Sequence, residues 1–115
     1  MGFVYLINIE KTDLYKVGIT KNTINERLKS LQTGNPLKLI IIDGYESEKY
    51  QKIETIIHRS LKHKKYIPED FENLLGEWFL LSQEDVSNFK SNCKKIEDSI
   101  DFLKKHSTLD LKNCL

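Results

Sequence analysis

Cysteine is scarce in this chain and poorly placed for chemistry: Cys93 and Cys114 are the whole supply, both near the C-terminus and without metal-ligand spacing. That argues against a thiolate zinc site and against a disulfide framework, and leaves free thiols. Long apolar runs are missing too. None approaches the ~20 residues of a membrane helix, so no membrane partner is expected. The N-terminus lacks the basic-then-apolar layout of a secretory signal, and its apolar stretch has only the length of a strand. A cytosolic protein is the expectation. Net charge is close to nothing, with 18 Lys and Arg against 17 Asp and Glu. Bulk charge therefore cannot draw the chain to a polyanion, and a nucleic-acid contact needs a local concentration of cations. With no internal repeat or low-complexity stretch, the 115 residues read as one domain that buries a modest core without staples.

What charge there is lies segregated. From Lys49 to Lys65 the chain carries Lys49, Lys52, Arg59, Lys62, Lys64 and Lys65 against Glu54 alone, and Glu69, Asp70, Glu72 and Glu77 follow at once. Two readings stay open for the basic block: a solvated helix face, or a track for phosphates.

Two short apolar runs, Gly2 to Ile7 and Leu14 to Ile19, flank the polar Glu10-Lys11-Thr12-Asp13 as the strands of a hairpin would. Polar side chains on neighbouring strands, Tyr5 and Lys16, can then converge. Thr23-Ile24-Asn25-Glu26 has capping-box spacing and Gly34 with Pro36 supplies a stop, which predicts a helix from Ile24 to Thr33 with Ile24, Leu28 and Leu31 as its apolar stripe. Leu37 to Ile42 predicts a third, well-buried strand that closes at Asp43-Gly44. Ser47 is expected to cap a second helix, with Glu48 in its first turn and Tyr50, Ile53, Ile57 and Leu61 on its buried side. Pro68 interrupts, and Glu77 to Leu81 after Gly76 reads as a short closing strand.

Ser82, or Gln83 beside it, begins a last helix in which Val86, Phe89, Cys93, Ile96, Ile100 and Leu103 keep an alternating three-four spacing. That seam either packs along the domain or dimerises as a coiled coil, so a homodimer through the C-terminal helix is one candidate assembly. The expected organisation is a core over 1–82, the amphipathic helix over 83–105, and a weakly ordered tail over 106–115.

Four polar positions stand out in this frame: Tyr5, Lys16, Arg27 and Glu54. A strand tyrosine ordinarily packs with a wet hydroxyl, an edge-strand lysine discourages further pairing, and a helix arginine lays its stem along apolar surface. Glu54 resists such a reading. At about 100° per residue it falls among Tyr50, Ile53 and Ile57 rather than opposite them. A carboxylate there is costly unless a cation, a metal or a hydrogen-bond network receives it. His58 lies one turn further along, at the edge of the same stripe.

Taken in order, Gly2-Phe3-Val4-Tyr5, Tyr15-Lys16-Val17-Gly18, Arg27 on the first helix and Glu54 on the second resemble the GIY-YIG endonuclease superfamily, over about residues 2 to 81. Phe3-Val4-Tyr5 stands where that family has its first tripeptide and Lys16-Val17-Gly18 where it has the second. The Glu54…His58 pair and Glu77-Trp78-Phe79 look like its phage- and virus-associated subfamily, which would put the protein in the host cytoplasm. There are departures. Lys16 takes the place of the second tripeptide's tyrosine, with Tyr15 one position earlier on the opposite strand face. A late asparagine of several relatives has only Asn73 and Asn88 as nearby candidates, and no separate DNA-binding domain follows the core.

The resemblance implies an α/β (α+β) fold, a small three-stranded antiparallel sheet flanked by helices with an extra C-terminal helix, that works as a metal-dependent DNA endonuclease. Glu54 would hold a single Mg²⁺ or Mn²⁺, hard cations that prefer oxygen and keep most of their waters. Tyr5 would help deprotonate the attacking water. A free phenol, with a pKa near ~10, is a poor base at neutral pH, and Lys16 is placed to supply the charge that favours phenolate. Arg27 would bind the scissile phosphate as a fork that lysine could not replace. His58 would be a proton carrier or a supporting group, and Glu77 would support the metal or cap the closing strand. Either Lys62, Lys64 and Lys65 contact DNA together with the last helix, or sequence specificity is low. The alternative from another class is a catalytically silent nucleic-acid-binding module on the same fold.

Overall fold

A strand that is apolar at nearly every position needs cover on both faces, and Gly2–Ile9 is such a strand. The computed structural model, which describes residues 1–66 and 78–113, places it (β1) at the centre of the molecule. It pairs antiparallel with β2 (Leu14–Thr20) on one side and β3 (Leu39–Ser47) on the other. The hairpin turn between β1 and β2 is clamped by Asn8, whose buried amide donates to the carbonyls of Thr12 and Leu14 at 3.0 and 2.9 Å. The expected strands run two residues and one residue further than the sequence predicts.

Among the described residues the sheet has five strands, not three, in the order β3-β1-β2-β5-β4. After a 3₁₀ turn at Lys62–Lys64, β4 (Lys65–Tyr66) pairs with β5 (Trp78–Leu80), and β5 pairs with β2 through Leu14↔Leu80 and Tyr15↔Phe79. The sequence predicts a closing strand near β5 but no partner for it. A two-residue strand such as β4 carries no periodicity to read. Glu77, Asn73, Pro68 and Gly76 lie outside the described residues.

β3 does not stop at Asp43-Gly44 but continues through Ser47. The register slips between Leu6 and Ile7, so that Leu6 faces Asp43 and Ile7 faces Ile41. Ile42 is the extra residue of this bulge, which leaves its side chain 40% exposed. Gly44, taken from the sequence as a stop, is instead the residue opposite Tyr5. Ser47 is correspondingly a strand residue rather than a helix cap; its hydroxyl accepts from Lys49 N and donates to Glu97.

Each sheet face has its own cluster. On one, Val4, Leu6, Tyr15, Val17 and Phe79 meet Tyr50, Ile53 and Ile57 of α2 (Tyr50–Ser60). On the other, Tyr5, Ile7, Ile9, Leu39 and Trp78 are covered by Ile24, Leu28 and Leu31 of α1 (Ile24–Gln32). Thr23 caps α1 by accepting from Glu26 N at 3.1 Å.

The single last helix of the sequence reading is two. Ser82 and Asp85 form a reciprocal capping box at the start of α3 (Gln83–Ser87), the chain breaks at Asn88, and α4 runs over Phe89–Asn113, past residue 106 where a tail was expected. Phe89 and Cys93 are buried in the α2-side cluster, with Ile96 and Ile100 against it, so the seam packs along the domain as far as Ile100. Tyr45 and Ser47 donate to Glu97, and Lys49 pairs with Asp101, which fixes α4 to β3 and to the start of α2. Among the described residues no helix is long and apolar enough to cross a membrane.

Candidate active site

Tyr5 is 1% exposed and sits at the middle of β1, with Gly18 of β2 and Gly44 of β3 as its direct neighbours. Both glycines are needed by what lies over them. A Cβ on Gly18 would stand 2.2 Å from the Tyr5 hydroxyl oxygen, and one on Gly44 would stand 2.4 Å from Ile24 Cδ1. The phenol therefore lies down across β2 instead of standing off the sheet, and α1 closes over β3 beside it.

Arg27 projects from α1 one turn after Ile24, and its Nε donates to the Tyr5 hydroxyl at 3.4 Å. That hydroxyl, accepting from a cation, keeps its own hydrogen for donation elsewhere, and the guanidinium keeps its remaining N–H groups for a second acceptor. Lys16 stands on the same sheet face, two residues from Gly18 along β2 and opposite Ile7. Its ammonium lies 5.8 Å from the centroid of the Trp78 ring, within cation–π range. Trp78 is 3% exposed and its indole nitrogen has no hydrogen-bond partner among the described residues. Tyr5, Lys16 and Arg27, expected together, are thus on one face. Tyr15 is on the other, in the α2 cluster, as strand alternation requires.

Glu54 and His58 come from α2, which covers that opposite face. They share a side of the helix, one turn apart. His58 reaches the rim of the sheet: its Nε2 lies 2.7 Å from the Val17 carbonyl and its ring meets Phe79 edge-on at 5.2 Å. Because a carbonyl only accepts, Nε2 carries the hydrogen, and any proton that His58 relays passes through Nδ1. β5 accompanies β2 only at Leu14 and Tyr15, so among the described residues no strand lies beyond Lys16 to Thr20. Side chains from the two faces can converge past that short rim. No hydrogen bond or ion pair joins Glu54 to Tyr5, Lys16 or Arg27 among the described residues.

Glu54 is half-buried and, among the described residues, has no hydrogen bond or ion pair. No group of three or more His, Cys, Asp or Glu that could cage a metal occurs among them either. A lone carboxylate of this kind suits Mg²⁺ or Mn²⁺ retaining most of its waters, and does not suit a fully protein-ligated ion.

Two other groups are removed from the chemistry by their surroundings. Burial first, then the Asp43 and Glu97 carboxylates, push the Cys93 thiol up to about 12, so it is no nucleophile. Burial and the Glu97 carboxylate likewise raise the Tyr45 phenol, which leaves it no candidate base. Of the basic block, Lys64 is committed to Asp85 at 2.6 Å and Lys49 to Asp101, whereas Lys62 is exposed. Sequence reasoning did not find Gly44 as a site neighbour or Trp78 as the seat of Lys16. The alternation of Trp78 and Phe79 across the two faces was the available signal for the second.

The chain matches the T5orf172 domain over residues 2–101. It belongs to that family. T5orf172 is a phage-associated domain found in nuclease-related proteins, so the chain is a nuclease-like or DNA-binding module of that kind. Comparison with curated proteins and with solved structures finds no match.

Proposed function

We propose that this T5orf172 domain is a DNA endonuclease of GIY-YIG type that hydrolyses phosphodiesters with one Mg²⁺ or Mn²⁺. The observation that carries the reading is the Arg27–Tyr5 hydrogen bond over Gly18, on a sheet face that also holds Lys16. A phenol laid flat over a glycine of the next strand, with a guanidinium on its oxygen and an ammonium two residues further along that strand, is an expensive way to build a core and a useful way to meet a phosphate.

In this reading the free N–H groups of Arg27 take the scissile phosphate and neutralise charge as it builds at phosphorus. Tyr5, once its own hydrogen has passed to solvent, accepts the proton of the attacking water as phenolate, directly or through a relay. Lys16, steered by Trp78, supplies the positive charge that a phenol needs to act as a base near neutral pH. Glu54 would hold the cation, which when bound supplies Lewis-acid stabilisation of the leaving oxygen. His58 steadies α2 against β2 through Nε2, so any proton it relays passes through Nδ1. Nicking of supercoiled plasmid in Mn²⁺ and none in EDTA is the expected result. A folded protein that cuts neither plasmid nor branched oligonucleotide with Mg²⁺ or Mn²⁺ contradicts it.

The second reading is a catalytically silent nucleic-acid-binding module. What favours it is that Glu54 stands on the opposite sheet face from Tyr5, and that no group of three or more His, Cys, Asp or Glu that could hold a metal occurs among the described residues. Retained DNA binding with no cleavage by any metal would select it.

A further inference from the structure

The basic block between Lys49 and Lys65 divides in the structure into cations that hold the fold and cations that do not. Lys49 pairs with Asp101 and Lys64 with Asp85. Lys52, Arg59 and Lys62 are exposed and make no ion pair among the described residues. Lys52 and Arg59 lie on the outer side of α2, directly away from Tyr50, Ile53 and Ile57, together with the exposed and neutral Gln51 and Thr55. Gln51, Lys52, Thr55, Ile56 and Arg59 line one shallow depression. Lys62 continues the line where the 3₁₀ turn begins. The one acidic residue of α2, Glu54, is half-buried and lies off this face, on the side it shares with His58.

We propose that this outer face of α2 is a track for the phosphates of a DNA strand, with Lys52, Arg59 and Lys62 as its contacts. The proposal rests on the nuclease reading above and adds to it the surface that receives the backbone. A helix face serving solubility interleaves charges of both signs, and the chain as a whole has nearly as many acids as bases. This face has bases only. From Lys52 to Arg59 the helix rises about 10 Å, which matches about three base-pair steps of a duplex at about 3.4 Å each along its axis. Neutral Gln51 beside them offers an amide donor, also suited to phosphate oxygen and blind to sequence. The track lies on the helix that carries Glu54 and His58, so a strand held there runs alongside the rim of β2.

The test is fluorescence anisotropy of the intact chain with a duplex oligonucleotide in EDTA, where no cleavage occurs, as a function of salt. The triple variant Lys52→Ala/Arg59→Ala/Lys62→Ala is compared with Lys38→Ala/Lys90→Ala/Lys94→Ala, which removes the same charge from lysines already paired with Glu10, Asp43 and Asp98. The expected result is that the first variant flattens the slope of log K against log salt by about 2 to 3, at about 0.9 per phosphate, equally for unrelated duplex sequences, while the second leaves the slope near wild type. Equal slopes for wild type and the first variant, or equal losses for both variants, overturn the track. So does a loss seen with RNA but not with DNA. Because binding is read without metal, a wild type that binds with the predicted slope yet never cuts DNA retains the track while the endonuclease reading falls.

Discussion

Tyr5 lies across Gly18 so closely that a single added carbon on the glycine would stand 2.2 Å from the phenol oxygen. The hydroxyl that Arg27 holds is thus positioned by the absence of a side chain on the neighbouring strand. This makes Gly18 as much a part of the site as the groups that carry charge.

Gly18→Ala is therefore expected to displace the phenol and cost about 1–3 kcal/mol of stability, the usual penalty for overpacking a filled core. Thermal unfolding measures the cost, and DNA cleavage should fall by more than the remaining folded fraction explains. Tyr5→Phe keeps the ring over the glycine, so it should unfold near the wild-type temperature while losing cleavage. An active, unshifted Gly18→Ala protein would mean that the phenol oxygen has no role.

Arg27→Lys keeps the charge and loses the fork. The half-buried arginine packs at the margin of α1, so circular dichroism should not change. Cleavage should fall by about 10²-fold or more, the scale for removing a donor aimed at developing charge. Full activity with lysine would show that a point charge suffices at the phosphate.

Trp78 seats the Lys16 ammonium and buries an indole nitrogen that has no partner among the described residues. Trp78→Phe retains a ring beneath Lys16 and removes the orphan donor; Trp78→Leu removes both. In the nuclear magnetic resonance spectrum the Lys16 Cε protons should be ring-shifted in wild type and Trp78→Phe and unshifted in Trp78→Leu. A cation–π contact of about 0.5–2 kcal/mol implies a cleavage loss of about 2- to 30-fold in the leucine variant alone. Equal rates in all three proteins would separate Lys16 placement from catalysis.

The hairpin, both amphipathic helices and the closing strand near Trp78 are readable from periodicity and caps alone. The fourth strand is not, because two residues, Lys65 and Tyr66, hold no pattern, and its pairing with Trp78 and Phe79 is decided by tertiary contact. β3 was read short because Asp43-Gly44 is a turn signal in isolation, yet here Gly44 is the gap that lets Ile24 pack beside Tyr5. The site was legible as residues and not as geometry. Strand alternation places Tyr5 and Lys16 on one face, but nothing in the sequence says that α2 brings Glu54 to the opposite one.

Lys64 holds Asp85 at 2.6 Å, and the lysine, with the Ser82 cap, keeps the Asp85 carboxyl below its ordinary value. A carboxylate whose folded pKa is depressed contributes stability that is complete above its unfolded pKa, near ~3.9, and is lost as pH falls through the lower folded value. Asp85→Asn should accordingly cost about 1–2 kcal/mol at neutral pH, from the cap and the ion pair together. The difference should shrink toward zero in acid. Denaturant unfolding at several pH values tests this, and a penalty that stays constant into the acid range would contradict it.

The most direct measurement is the single-turnover rate of duplex cleavage in Mn²⁺ by wild type and by Glu54→Gln, with DNA binding in EDTA measured for both. Glutamine keeps the shape of the half-buried side chain and removes the charge that would hold the cation. The account predicts unchanged binding and a rate lowered by about 10²-fold or more, partly restored by raising Mn²⁺. Equal rates would contradict it, by showing that the carboxylate on α2 has no part in the reaction.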